Sequence, residues 1–320
     1  MFDDSEQTND DFNIERGEDF FVPAAITDTG CERDLNEDRY AVIDSRSGVG
    51  WFVCDGMGGT SGGELAAQLA IDAIRRDLDT LPERSPAVAL ESAFIEANRV
   101  IVLRRQNQAF ASMGTTIVGA IFKGEEVAIG HVGDSRAYLV RDNAIQQLTK
   151  DHTLVQEWVD RGEILPEEAL SHPQSHVLTK CVGSEAVLEP DIKTYWVWPC
   201  EDGDAQDSLV LCSDGMYSLV SECELASVVS KFPPQDACVQ LVELAKERGG
   251  YDNITLAVVP FGGQLKEQAP MLAQKHLTKK VTEREFKIGK LGSDILKAVL
   301  LSGLLITIST FVVMFLILSS

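Results

Sequence analysis

Four short acidic segments in this chain border apolar runs. They read Arg33-Asp34-Leu35-Asn36-Glu37-Asp38, Asp55-Gly56-Met57-Gly58-Gly59 after Trp51-Phe52-Val53-Cys54, Asp214-Gly215 after Leu209-Val210-Leu211-Cys212-Ser213, and Asp252-Asn253 before Ile254-Thr255-Leu256-Ala257-Val258-Val259. Carboxylates at strand ends are poor core residues and good ligands for hard cations. A fold that gathered these ends would crowd several acids together, and the crowding costs electrostatic repulsion unless cations offset it. The pattern points to divalent-metal chemistry before it points to any substrate.

The glycine after Asp55 lets the backbone turn tightly and present a carbonyl to a cation. A carboxylate beside such a carbonyl suits Mg²⁺ or Mn²⁺. Asp214 repeats the arrangement in Ser213-Asp214-Gly215, and Asp134 resembles it in His131-Val132-Gly133-Asp134-Ser135-Arg136. Singly, each reads as an ordinary turn; together they are hard to ascribe to chance. The glycine-rich run from Gly56 to Gly63 lacks the Gly-Lys-Ser/Thr ending of a nucleotide-binding loop.

These acids need strands to carry them. Strands are expected over 39–43, 50–54, 115–122, 127–132, 136–140, 195–198, 208–212 and 254–259, where apolar residues alternate or run continuously and Gly or Asp borders most runs. Helices are expected over 64–78 and 86–106, the second opened by Ser85 and Pro86, and over 222–231 and 235–247. Strands cluster early, a helical hairpin interrupts them, and strands then return. That order suits an α+β fold with sheets packed face to face and helices outside. Residues 153–183 read as an insert, a flap near a site, with a short helix around Leu154 to Val159, a restart at Pro166 and a break at His172-Pro173. His131 is expected to pack on its strand and His152 to be structural.

With 320 residues and 44% apolar content, the chain can form one large or two ordinary cores. Fifty acids against 28 bases give a net charge of −22, which excludes the phosphate-neutralising surface that nucleic acid requires. The seven cysteines, Cys31, Cys54, Cys181, Cys200, Cys212, Cys223 and Cys238, are odd in number and without C-x-x-C spacing. They are expected to be buried, reduced thiols rather than zinc ligands.

The two ends differ. Residues 1–19 read as a disordered acidic leader ahead of a body spanning 20–261. Residues 262–297 hold eight bases and four acids and read as a polar linker or stalk. Residues 298–318 contain no charge and, as a helix, would run about 32 Å, close to the hydrocarbon thickness of a bilayer. The bases upstream, from Lys279 to Lys297, place the body on the cytoplasmic side by the positive-inside rule. A single-pass C-terminal membrane anchor is therefore expected.

Six motifs occur in order: Arg33-x-x-Asn36-Glu37-Asp38, Val53-x-Asp55-Gly56-Met57-Gly58-Gly59, Gly133-Asp134-Ser135-Arg136, Leu148-Thr149-x-Asp151-His152, Leu211-Cys212-Ser213-Asp214-Gly215 and Asp252-Asn253. Over roughly residues 20–260 the chain resembles the PPM family of metal-dependent serine/threonine protein phosphatases, also called type 2C, in its bacterial form. The resemblance implies a central antiparallel β-sandwich flanked by helix pairs, with two Mg²⁺ or Mn²⁺ ions at one end. Asp55 would bridge the ions, and Asp214 and Asp252 would complete one site. The Gly56 carbonyl and Glu37, through water, would serve the other. Asp38 is counted with the metal and catalytic residues, in a supporting position behind the ligands. Asp134 with Asp214 would hold a weaker third ion, and Arg33 would clamp the substrate phosphate. A metal-bridging hydroxide would then attack phosphoserine or phosphothreonine in line.

The chain departs from the family at Met57, where animal members often carry His, and at Ser175 and His176, where Arg and Asn are usual before Val-Leu-Thr. Small phosphoesters and phosphotyrosine stay open as substrates, because such a centre attacks any accessible phosphate. The expected partners are phosphorylated proteins and, by analogy, a membrane-bound Hanks-type kinase as counterpart.

Overall fold

The apolar runs become strands, and those at the centre of the sheets are buried on both faces. The structure, a computed structural model, describes residues 18–58, 62–199 and 207–267. In chain order the strands are β1 (Ala24–Asp28), β2 (Arg39–Ser45), β3 (Gly48–Cys54), β4 (Gly56–Met57), β5 (Gly114–Thr115), β6 (Ile117–Lys123), β7 (Glu126–Val132), β8 (Arg136–Arg141), β9 (Ala144–Gln147), β10 (Asp191–Pro199), β11 (Ser208–Cys212), β12 (Ile254–Pro260) and β13 (Gly263–Lys266). The helices are α1 (Gly62–Thr80), α2 (Pro86–Arg104), α3 (Leu154–Asp160), α4 (Pro166–Ala169), α5 (Asp214–Tyr217), α6 (Glu222–Lys231) and α7 (Pro234–Glu247).

One sheet has the order β1-β12-β11-β8-β9 and a second has the order β13-β10-β7-β6-β3-β2, while β4 and β5 form a small ribbon. The register fixes which side chains share a face: Leu211 sits opposite Ala257 on one side and Ala137 on the other. Period-2 alternation then sorts each strand between two layers. In β3, Trp51 and Val53 face the layer between the sheets, while Phe52 and Cys54 face α1 and α2. In β11, Leu209 and Leu211 face the middle layer, while Val210 and Cys212 pack in the layer under α6 and α7. The result is an α+β fold in four layers, helix–sheet–sheet–helix. Each large apolar side chain buried this way contributes about 1.5–3 kcal/mol, so the strands that carry the acids are firmly held.

Several local details depart from the sequence pattern. The run expected over 115–122 is broken: Gly114 and Thr115 pair with Gly56 and Met57, and β6 begins at Ile117. The break lets Thr116 N–H reach the Asp55 carbonyl at 2.8 Å. Ser85 precedes α2 in extended conformation with Pro86 inside the first turn, yet its side chain makes no capping hydrogen bond. β1, β9 and β13 were not expected; all three are edge strands whose short, half-polar sequences give little alternation. The flap carries α3, capped by the Thr153 side chain accepting from Gln156 N–H, and α4 at Pro166.

The cysteine expectation needs correction in part. Cys54, Cys212 and Cys238 are buried, but Cys31 and Cys223 lie in loop or helix-surface positions and are exposed. Residues 1–17 of the acidic leader 1–19, Cys200, most of the linker 262–297 and the apolar segment 298–318 lie outside the described residues. Among the described residues no helix is long and apolar enough to cross a membrane.

Candidate metal centre

The topology brings the acidic segments to one end of the sandwich. Antiparallel pairing of β11 with β12 puts the end of β11, before Ser213 and Asp214, beside the start of β12, after Asp252 and Asn253. In the other sheet β3 ends before Asp55, β7 ends before Gly133 and Asp134, and β2 starts after Glu37 and Asp38. The two Asp-Gly glycines are required by close approach. A Cβ on Gly56 would stand 2.1 Å from the Gly63 carbonyl oxygen, and one on Gly215 would stand 2.1 Å from the Asn253 carbonyl oxygen. No side chain fits there, so both aspartates are presented by backbone that crosses its neighbour.

Glu37, Asp55, Asp134, Asp214 and Asp252 line one cleft of about 490 Å³ together with Gly56, Arg33 and His176. Five carboxylates thus face a single guanidinium. Arg33 Nη2 donates to Asp252 Oδ2 at 2.8 Å, and its side chain remains 49% exposed. The acids are held from behind. Asp55 N–H donates to Thr116 Oγ1 at 3.1 Å, and Thr115 Oγ1 donates to the Asp55 carbonyl at 2.8 Å. Asn253 Oδ1 accepts from Glu37 N–H at 2.8 Å, while its Nδ2 donates to the Thr29 and Leu35 carbonyls and staples the Arg33 loop in place. Tyr217 Oη donates to the Asp134 carbonyl at 3.0 Å, and its ring lies under the Arg136 guanidinium.

Asp38 is buried and does not line the cleft. Its Oδ2 accepts from Ser213 Oγ at 2.7 Å, one residue before Asp214. That position supports the Asp214 loop from behind and does not reach the cleft. Thr116, Ser213 and Asn253 were not singled out from the sequence as site residues. Ser213 and Asn253 stand inside quoted motifs, whereas Thr116 has no signal beyond a β-branched position between two strands. His176, noticed in the sequence only as a departure from the family, reaches the cleft from the flap with Nδ1 3.8 Å from Asp214 Oδ2. Met57 also lines the cleft, so the position next to Asp55 and Gly56 supplies no titratable group.

The electrostatics fit dications. Burial, then Asp38, Asp214, Asp134 and Asp252, push the Asp55 carboxyl well above the usual carboxylate range. Burial and the charges of Asp214 and Asp252 raise Asp38 to about 7, against the hydrogen bonds from Ser213 and Thr255. Burial, with Asp214 and Asp151, raises Asp134 to about 8. Acids this crowded hold protons unless positive charge replaces them, and an all-oxygen donor set of carboxylates and one backbone carbonyl is the set Mg²⁺ and Mn²⁺ prefer.

A stability consequence follows. Without metal the folded protein keeps protons on Asp38 and Asp134 that the unfolded chain releases near pH 4. Unfolding then releases protons between about pH 4 and 8, so stability falls as pH rises through that window. Thermal scans in EDTA are expected to give a higher midpoint at pH 5 than at pH 8. Excess Mn²⁺ should raise the pH 8 midpoint most. A metal-free midpoint that climbs from pH 5 to pH 8 contradicts this account.

Comparison with known proteins agrees with the geometry. The family model for Protein phosphatase 2C matches residues 32–242. The serine/threonine phosphatase stp of Listeria welshimeri is 35% identical over 240 residues, covering 73% of this chain and 93% of that protein. The serine/threonine phosphatase of S. agalactiae superposes with a TM-score of 0.68 at 31% identity, covering 74% of this chain and 98% of that one. The catalytic domain of the serine/threonine protein phosphatase PstP, solved with two manganese ions, superposes with a TM-score of 0.64 at 32% identity, covering 74% of this chain and 96% of that one. The chain belongs to the protein phosphatase 2C family. It is a metal-dependent serine/threonine protein phosphatase, of a family that uses Mn²⁺ or Mg²⁺.

Proposed function

We infer that the five-carboxylate cleft holds two dications and dephosphorylates phosphoserine and phosphothreonine in proteins that meet the enzyme at a membrane. The observation that carries this reading is the convergence of Glu37, Asp55, Asp134, Asp214 and Asp252 on one open cleft beside Arg33. Asp55, whose carboxyl the charges of Asp38, Asp214, Asp134 and Asp252 all reach, would be shared by the two ions. Asp214 and Asp252 would complete the ligands of one ion, and Glu37 with the Gly56 carbonyl would serve the other. Asp134, with Asp214, lies at the edge where a third, weaker ion would sit. When bound, the dications supply Lewis acidity: they acidify water and draw charge from phosphoryl oxygens.

The chain's own groups do the rest. Arg33 presents a planar fork of N–H donors that matches two phosphate oxygens. Its partner Asp252 orients it while the cleft is empty of phosphate. Asp38 and Ser213 keep the Asp214 loop in register with Thr255. The flap, through His176 and Leu178, walls one side of the cleft.

The uncharged segment 298–318 anchors the enzyme as a single C-terminal span, and the bases before it keep the phosphatase domain on the cytoplasmic face. A tether of this kind favours membrane-proximal phosphoproteins, and a membrane-bound Hanks-type kinase is the counterpart proposed by analogy.

The test is hydrolysis of a phosphothreonine peptide by the full chain in Mn²⁺ and in excess EDTA, repeated after removal of residues 291–320. Turnover is expected only with metal, and the truncated protein is expected to leave the membrane fraction with its turnover unchanged. Full activity in EDTA contradicts the metal reading. Loss of turnover on truncation contradicts a pure anchor.

A further inference from the structure

Outside the cleft, among the described residues, donor atoms of His131, His152 and Asp191 lie within 4.8 Å of one another. This set is not built for an ion. The two imidazoles are stacked, with centroids 4.6 Å apart and planes 16° apart. A ring nitrogen binds metal in the plane of its ring at about 2.1 Å, so two nearly parallel stacked rings do not reach one ion. Their hydrogen bonds are also committed. His131 Nε2 donates to the Lys150 carbonyl at 2.6 Å. His152 Nδ1 accepts from Gly133 N–H at 3.1 Å, which leaves its proton on Nε2, 3.5 Å from Asp191 Oδ2.

We propose that His152 is a positioning residue that ties the flap to the Asp134 carboxylate, so that the wall over the substrate and the edge of the metal cleft move as one unit. The proposal deepens the phosphatase reading and rests on Asp134 facing a bound cation. His152 holds both backbone groups of Gly133: its N–H donates to the Gly133 carbonyl at 2.9 Å, and its ring accepts from Gly133 N–H. The next residue is Asp134, in the cleft.

On its other side the same residue holds the flap. The His152 carbonyl accepts from Thr179 N–H at 2.8 Å, Leu154 N–H donates to the Val177 carbonyl at 2.9 Å, and Thr153 bridges Leu178. His176 and Leu178, on either side of Val177, wall the cleft. Stacking on His131 and the neighbouring Asp191 fix the ring from two further directions, and burial keeps the imidazole neutral, with its pKa lowered to about 4. A neutral ring is what an acceptor at Nδ1 requires. A second path continues inward: Ser135 and Thr116 share a hydroxyl hydrogen bond of 2.6 Å, and Thr116 accepts from Asp55 N–H.

Two elements tied to one residue are energetically linked, and the linkage is reciprocal. A cation at Asp134 should steady the flap, and a steady flap should favour the cation. The experiment is hydrogen exchange of the flap segment 175–180 in the full chain, with and without Mn²⁺, for the native protein, His152→Ala and His152→Asn, with calorimetry confirming Mn²⁺ binding in each. Asparagine returns an acceptor oxygen near the position of Nδ1 and lacks the ring.

In the native protein Mn²⁺ is expected to slow exchange at the flap about tenfold. In His152→Ala the slowing should fall below about twofold, and His152→Asn should recover most of it. The phosphopeptide KM should follow the same order, rising about tenfold in the Ala protein with a smaller change in kcat. If His152→Ala does not fold, His152→Phe keeps the stack on His131 without the acceptor and takes its place. Equal Mn²⁺-induced protection in native and Ala (or Phe) proteins overturns the proposal, as does failure of Asn to recover it in a folded protein. Absence of any Mn²⁺ binding to the native chain would instead defeat the metal reading on which it rests.

Discussion

Replacing Asp55 by Asn is expected to lower Mn²⁺-dependent hydrolysis of a phosphothreonine peptide by on the order of 10³-fold or more, because a metal pair supplies several kcal/mol of charge stabilisation at the transition state. The same change is expected to stabilise the metal-free protein. The Asp55 carboxyl is raised well above the usual carboxylate range by burial and by the charges of Asp38, Asp214, Asp134 and Asp252. An amide of the same shape removes that repulsion, and the hydrogen bonds that hold the residue run through its backbone N–H and carbonyl, which the substitution leaves intact. Activity and metal-free stability should therefore move in opposite directions, the trade expected where a site is built for a ligand and not for the bare fold. Thermal unfolding in EDTA beside Mn²⁺ calorimetry reads both. A variant that loses activity and metal-free stability together would mean that Asp55 is a structural residue.

The second large effect is expected at Arg33. Its guanidinium is half exposed and bonded only to Asp252 among the cleft acids, so it can turn to a phosphate without unfolding anything around it. Hydrogen bonds to a charged group are worth about 1.5–3 kcal/mol. Arg33→Ala should accordingly reduce kcat/KM by about 10- to 100-fold. Metal affinity should hold or increase, since Asp252 loses its competing cation. Arg33→Lys should restore only part of the loss, because an ammonium lacks the planar fork. A fall in Mn²⁺ affinity in Arg33→Ala contradicts the assignment, since it would place Arg33 in support of the ligands and not of the phosphate.

The acids Asp55, Asp134, Asp214 and Asp252 were legible in the sequence because each borders a strand that is apolar on both faces. Such a strand leaves no doubt about where it stops, and a carboxylate at the stop is conspicuous. The same property made β11 readable to both its ends, Ser208 and Cys212. What the sequence did not reveal lies where period 2 fails. β1, β9 and β13 are edge strands with one polar or open side. Thr116 sits at the break between β5 and β6, and its use as an acceptor for Asp55 N–H arises only once β3 and β6 pair. His152 belonged to a recognised motif, yet nothing local predicts that its ring turns back to Gly133; the flap supplies that constraint from residues 177–179. The placement of Asp38 behind Ser213 likewise comes from sheet geometry, since a neighbour of Glu37 in sequence faces the opposite way on entering β2.

The measurement that tests the account most directly is anomalous scattering at the manganese edge from crystals of this protein grown with Mn²⁺. The account predicts two strong peaks in the cleft, one among Asp55, Asp214 and Asp252 and the other between Asp55, the Gly56 carbonyl and Glu37. Crystals in which the cleft gives no anomalous signal, with those carboxylates turned to separate protein partners, would contradict it.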